Sequence, residues 1–136
     1  MRILVLCTGN SCRSQMMEGF LRSFDFDVQS AGVKADKLNK FAIQVMHEVN
    51  IDISQHRSKI INDIDLHSFD LLITVCDHAK ETCPKIYIQK KTIHKSFIDP
   101  AKFNGDSYET IEVFREVRCQ IENFCLELRK KYKAVN

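Results

Sequence analysis

Apolar residues recur along this chain in two rhythms that take turns. Ile3-Leu4-Val5-Leu6 and the run from Leu71 to Val75 are short and unbroken, as expected of strands buried on both faces. Asp27 to Ala31, closed by Gly32, reads as a further strand, and Thr92 to Phe97 as a fourth. Between them the period lengthens. Met17, Phe20, Leu21 and Phe24 share one side of a helix from Ser14 to Phe24, and Phe41, Ile43, Val45 and Met46 do the same from Asn39 to Val49. From Tyr108 to Tyr132 a longer helix carries Ile111, Phe114, Val117, Ile121, Phe124 and Leu128 as its apolar stripe.

Strands alternating with helices predict an α/β fold: a single-domain, three-layer sandwich with a four-stranded parallel sheet and helices on both faces. At 136 residues the chain suits one domain, spanning 1–136, and no repeat or low-complexity segment divides it. Ligand crevices in such sheets lie beyond the carboxyl ends of the strands. Cys7 follows the first strand and Cys76 the third, so both thiols are expected at one rim.

Charge and cysteine usage narrow the chemistry. A net charge of +2 is too mild for a nucleic-acid partner, and the basic tail Arg129-Lys130-Lys131-Tyr132-Lys133 reads as a solvated helix end. No apolar stretch approaches membrane-spanning length and the N-terminus lacks the apolar core of a signal peptide, which predicts a cytoplasmic protein. Six cysteines in that setting argue against a structural disulfide framework and leave catalysis, redox chemistry or metal binding.

The stretch Cys7-Thr8-Gly9-Asn10-Ser11-Cys12-Arg13-Ser14 is where the chemistry concentrates. A strand feeding a short loop and then a helix aims backbone N–H groups and the positive helix end at one point, a cradle for an oxyanion and a field that favours a thiolate. Cys-x5-Arg alone is a weak pattern, but of the six cysteines only Cys7 has arginine six positions on. Arg13 can bind two oxyanion oxygens with its planar fork. Gly9 is expected to provide the tight turn, and Asn10 to tie the loop through its side chain.

This segment resembles the phosphate-binding loop of the low-molecular-weight protein tyrosine phosphatases, and CTGNSCRSQM is more similar still to the thioredoxin-coupled arsenate reductases built on that fold. The two groups share an anion site and differ in how the intermediate formed there is resolved.

Cys76-Asp77-His78-Ala79-Lys80-Glu81-Thr82-Cys83-Pro84 reads as a short helix stopped by proline. As a helix it would hold the Cα atoms of Cys76 and Cys83 about 10 Å apart, beyond the roughly 7 Å that a disulfide spans. Such a bond would require unwinding. Two buried thiols, or a zinc site from Cys76, His78 and Cys83, are the alternatives, although the spacing departs from the usual close cysteine pairs and no metal is expected. The resemblance implies a relay: the reductases carry a nucleophile in the anion loop and a resolving pair after the third strand, places matched by Cys7, Cys76 and Cys83.

Asp99-Pro100-Ala101 matches the aspartate-proline motif whose carboxyl acts as general acid over the anion site. Some members bind potassium beside the loop, and Asn10, Glu18 and Ser30 match three of its ligands. Lys59 stands where an aspartate is expected, and its ammonium can replace the ion, so no potassium requirement is predicted. His56 is read as a surface or satisfied core histidine rather than a support of the loop. Cys125 falls on the apolar face of the last helix and Cys119 off it.

The resemblance therefore implies arsenate reduction in arsenic detoxification: the oxyanion held by Thr8 to Arg13, Ser14 donating to the Cys7 thiolate, and Asp99 protonating the leaving oxygen. No cofactor is bound. Thioredoxin, reduced by NADPH through thioredoxin reductase, is the implied reductant of a monomeric enzyme, with phosphate or sulfate as substrate mimics. The alternative is a protein tyrosine phosphatase working through a Cys7 phosphocysteine, and weak phosphatase activity is expected in either case.

Overall fold

The computed structural model describes residues 1–77 and 91–133. In chain order they form β1 (Arg2–Cys7), α1 (Arg13–Ser23), β2 (Asp27–Gly32), α2 (Lys40–His47), β3 (Leu71–Thr74), β4 (Lys91–His94) and α3 (Ser107–Tyr132). The strands make one four-stranded sheet in the order β2-β1-β3-β4, and every pairing is parallel. This is the expected parallel α/β sheet, with ends shifted by a few residues; of the helices expected on both faces, α1, α2 and α3 share one, and among the described residues 3-10 turns cover the other.

Alternation along the strands sorts the core onto two faces. Ile3, Val5, Cys7, Val28, Leu71, Ile73 and Val75 pack with residues of α1, α2 and α3. Leu4, Leu6, Ala31 and Leu72 turn the other way, against Phe69 and the partly buried Ile61, Ile64 and Leu66, which lie in or beside two 3-10 turns, Ile61–Asp63 and Leu66–Ser68. Phe20, Phe69 and Phe114 are at most 1% exposed. Each contributes roughly 1.5–3 kcal/mol by burial.

Helix starts follow local chemistry. The Asn39 side chain accepts from Phe41 N and Ala42 N at the head of α2, and Asp106 with Glu109 forms a capping box on α3. At α1 the N-cap is Cys12, whose side chain makes no cap bond.

Strand β4 covers Lys91–His94 rather than Thr92 to Phe97. Lys95 N and Phe97 N still donate to Thr74 O and Val75 O at 2.9 and 3.2 Å, but Phe97 O accepts from Arg13 Nη1 at 3.1 Å. That bond takes the segment to the anion loop instead of extending the ladder. The short helix expected between Cys76 and Pro84 lies outside the described residues, apart from its first positions.

Candidate active site

Strand β1 delivers Cys7 to the carboxyl edge of the sheet, where the chain enters the loop that precedes α1. The carbonyls of that loop are all engaged from behind. Lys34 N donates to Thr8 O at 3.2 Å, Asp36 N to Gly9 O at 2.9 Å and Asn39 N to Ser11 O at 3.0 Å. Asn10 O accepts from Gln15 Nε2 at 3.1 Å and Ser58 Oγ at 2.8 Å. A trans peptide sets its N–H opposite its C=O, so carbonyls held outward turn the loop amides inward. Asn10 N accordingly donates to Cys7 Sγ at 3.3 Å.

The tight turn is made differently from the sequence-based expectation. Asn10, not Gly9, adopts the left-handed conformation, with φ 54°, and asparagine tolerates it better than most residues. At Gly9 a Cβ would lie 2.4 Å from Asp36 Oδ2, the end of a flexible, half-exposed side chain that can swing aside. Gly32, paired with Cys7 across the β1–β2 ladder, is more constrained, because a Cβ would meet Thr8 O at 2.6 Å and Lys34 O at 2.8 Å.

Hydrogen-bond directions around Cys7 can be assigned from groups that act in one sense only. Asn10 Oδ1 accepts from Lys59 N and Gln15 Nε2, so Asn10 Nδ2 is the donor to Ser14 Oγ at 2.8 Å and Ser30 Oγ at 2.9 Å. Ser14 therefore keeps its own proton for Cys7 Sγ, 2.9 Å away. A hydroxyl donor at that distance stabilises a thiolate. Cys7, Asn10, Ser14 and Ser30 are all buried.

Arg13 leads α1, and its side chain runs back across the loop. Nη2 is 3.5 Å from Asp99 Oδ2. Asp99 also caps the 3-10 turn Pro100–Lys102, accepting from Ala101 N at 3.0 Å, and its Oδ1 accepts from Cys12 Sγ at 3.6 Å. Burial, then the neighbouring Asp99 and Cys7, push the Cys12 thiol up to about 12. A loop carrying the buried Cys7 thiol, an arginine fork and a carboxyl thus converge at one edge of the sheet.

The family model for low molecular weight phosphotyrosine protein phosphatase matches residues 2–135. The chain belongs to that family. Within it, a protein named arsenate reductase from Halalkalibacterium halodurans is 44% identical over 122 residues, 88% of either chain. The solved structure of an arsenate reductase in reduced state covers 96% of this chain and 97% of its own, with a TM-score of 0.78 and 30% identity. Another, of an arsenate reductase in the phosphate binding state, gives 0.76 and 29% with the same coverage.

Where some members of the phosphatase family hold potassium, the donors of this chain are already used. Glu18 Oε1 accepts from Ser30 Oγ at 2.8 Å and lies 3.9 Å from Lys59 Nζ. Its Oε2 faces Arg22 Nη2 at 3.2 Å and His56 Nδ1 at 3.3 Å. With Asn10 Oδ1 also occupied, the residues do not fit a cation. Among the described residues no group of three His, Cys, Asp or Glu side chains could hold a metal, and of the zinc candidates His78 and Cys83 lie outside them.

His56 corrects the sequence-based reading. Its Nδ1 is 3.0 Å from Gln15 Oε1, and because Gln15 Nε2 donates to Asn10 O, Asn10 Oδ1 and Arg57 O, Oε1 must accept and Nδ1 carries the proton. His56 is thus tied to the loop through Gln15. Burial above all holds its pKa below the ordinary histidine value, while Glu18 opposes and Arg22 and Lys59 reinforce that shift.

Gln15 and the segment 34–39 are supports that the sequence-based reading does not name. Gln15 sits on the inner side of an amphipathic helix, where its burial as a polar residue was the available signal.

Cys76 follows β3, fully buried and disulfide-bonded, whereas Cys7 is a free thiol. Val75 N donates to Leu6 O at 3.0 Å, which brings the ends of β1 and β3 side by side. Cys83 lies outside the described residues. Cys125 is buried and Cys119 exposed, as the helical pattern predicts.

Proposed function

We propose that this protein is an arsenate reductase that works by a three-cysteine relay. One observation carries the reading: a buried Cys7 thiol, held by Ser14 in a loop whose carbonyls are all drawn outward, with Cys76 at the end of the neighbouring parallel strand. Relatives named arsenate reductase at more than 40% identity support it.

Arsenate occupies the loop from Thr8 to Ser14, held by inward amides and the Arg13 fork. The Cys7 thiolate attacks arsenic, and Asp99 gives its proton to the departing oxygen, which leaves as water. Cys76, its disulfide in this structure first reduced by thioredoxin, then attacks Cys7 Sγ as a thiolate. The Cys7–arsenic bond breaks with its electron pair left on arsenic, so arsenite departs and a Cys7–Cys76 disulfide remains. Cys83 attacks Cys76 Sγ and frees the Cys7 thiolate. Reduced thioredoxin takes up the final disulfide, with NADPH and thioredoxin reductase as the electron source in the cytoplasm. The enzyme acts as a monomer and keeps a weak phosphatase activity, since phosphate and arsenate have the same shape and charge. Buried supports of the loop act through position: Asn10, Ser30, Glu18 and Lys59 hold Ser14 and Cys7 in register.

The test is NADPH consumption with thioredoxin and thioredoxin reductase, with and without arsenate. Arsenate-dependent turnover lost in Cys7→Ser, Cys76→Ser and Cys83→Ser alike is the expected result. Efficient hydrolysis of an aryl phosphate with no arsenate-dependent oxidation of NADPH would replace the proposal with a phosphatase.

A further inference from the structure

We propose that Cys12 is a positioning residue whose thiol, donating to Asp99 Oδ1, holds the acid carboxyl over the anion loop. The inference rests on the reading of Asp99 as the general acid. Among the described residues Asp99 has three partners. Ala101 N belongs to the turn that Asp99 itself caps and moves with it, so it cannot fix the carboxyl relative to the anion. The links to the loop are Arg13 Nη2 on Oδ2 at 3.5 Å and Cys12 Sγ on Oδ1 at 3.6 Å.

Those two links are not equivalent. Arg13 must turn its fork onto the oxyanion for bidentate binding, which draws it away from the carboxyl when substrate arrives. A cationic partner also favours the ionised carboxylate, whereas an acid has to carry a proton; a thiol donor fixes position with much less bias of charge. Cys12 can serve because it stays a thiol: it is 3% exposed, and Asp99 and Cys7 on one side and Arg13 on the other are the charged groups that face it.

The place of Cys12 in the fold argues in the same direction. It is the N-cap of α1, a position where a side chain usually accepts from the amides of its own first turn. Here no such bond is made. The side chain reaches across to Asp99, with the Arg13 amide also acting on its sulfur.

The experiment compares kcat/KM for arsenate in the thioredoxin-coupled assay, across pH, for wild type, Cys12→Ser, Cys12→Ala, Asp99→Asn and the Cys12→Ala/Asp99→Asn double variant. Loss of the donor in Cys12→Ala is expected to cost roughly 10-fold and to alter the basic limb of the pH profile. Cys12→Ser, which keeps a donor, should recover most of it. In the Asp99→Asn background Cys12→Ala should cost nothing more, since the carboxyl it positions is gone. Equal losses in Cys12→Ser and Cys12→Ala, with both folded by thermal melting, overturn the proposal, as does a Cys12→Ala loss that persists in full without Asp99. If Asp99→Asn itself leaves kcat/KM unchanged, the acid reading fails first and takes this one with it.

Discussion

Glu18 and Glu48 are both glutamates facing several cations, yet they do different things in the fold. Glu48 has the better geometry: Arg115 Nη2 at 2.6 Å, Arg115 Nε at 3.0 Å and Arg118 Nη1 at 2.7 Å. Glu18 meets its cations at 3.2 to 3.9 Å. The difference lies in burial, 4% of the side chain exposed for Glu18 against 30% for Glu48. Water replaces any partner Glu48 loses. Behind Glu18 stands Ser30, fully buried, then Asn10, Ser14 and the Cys7 sulfur, all bonded in sequence. Distance ranks these two clusters in one order, and consequence in the other.

Removing the buried acceptor is the strongest way to test that ranking. Glu18→Leu leaves the Ser30 hydroxyl without its acceptor and Lys59 and Arg22 without their anion, and should cost roughly 2–4 kcal/mol, read by urea unfolding. Arsenate turnover should fall with it, because the chain ends on Ser14. A shift no larger than that of the equivalent change at Glu48 would break the comparison.

Replacing a cation rather than the carboxylate sharpens it. Wild-type turnover should be the same in potassium and sodium, because Lys59 Nζ already lies 3.9 Å from Glu18 Oε1. Lys59→Met should lose about 1 kcal/mol of stability, read by urea unfolding, with no recovery specific to potassium because the neighbouring oxygens stay engaged. Clear potassium activation of the wild type would show that the ammonium does not do the work of an ion.

How much of this was legible in the sequence depends on whether a feature is local. The sheet and its helices come from period, and Cys7, Arg13 and Asp99 from motif and family resemblance. Asn10 is read from the loop itself, and the Ser14 donor from the resemblance. The backbone of 34–39 is read from neither, because its bonds to the loop join separate segments, and no pattern within one segment encodes them; Gln15 is close in sequence, but a polar residue within a helical stretch gives no sign that it turns toward the loop. The tight turn expected of Gly9 falls on Asn10, because asparagine also tolerates the left-handed conformation. Cys12 lies within the loop read as oxyanion-binding, but its contact with Asp99, 87 residues away, joins two segments and leaves no signal in either.

Acidification separates the clusters in a smaller way. The folded pKa of His56 lies below 6.5, chiefly because of burial, so the unfolded chain binds this proton more readily. Stability from neutral His56 is present above that ordinary value and is lost as pH falls below it, with a slope of at most ~1.4 kcal/mol per pH unit. His56→Gln should flatten the urea midpoint across this window. An unchanged slope would mean that His56 charges without disturbing Gln15 and the loop.

Glu48 should respond least, and in a different window. Its carboxyl is lowered from 4.5 to about 2, first by hydrogen bonds from Arg115, then by Arg118 and the charges of both. The contribution is therefore present above the ordinary glutamate value and disappears as pH falls through 4.5 toward 2. The shift is large, but the carboxylate is open to solvent, and screening reduces what it is worth to ~0.5–1 kcal/mol. Arg118 also remains fixed without it, since Nη1 donates to Val45 O at 2.7 Å, and Arg115 keeps its pairing with Glu112. Glu48→Gln should thus lower the urea midpoint slightly at neutral pH, by an amount that shrinks further in about 0.5 M salt, and leave arsenate turnover unchanged. A loss approaching that of Glu18→Leu, insensitive to salt, would show that the contact between α2 and α3 depends on this pair as the anion loop depends on Glu18, and geometry would then outrank burial after all.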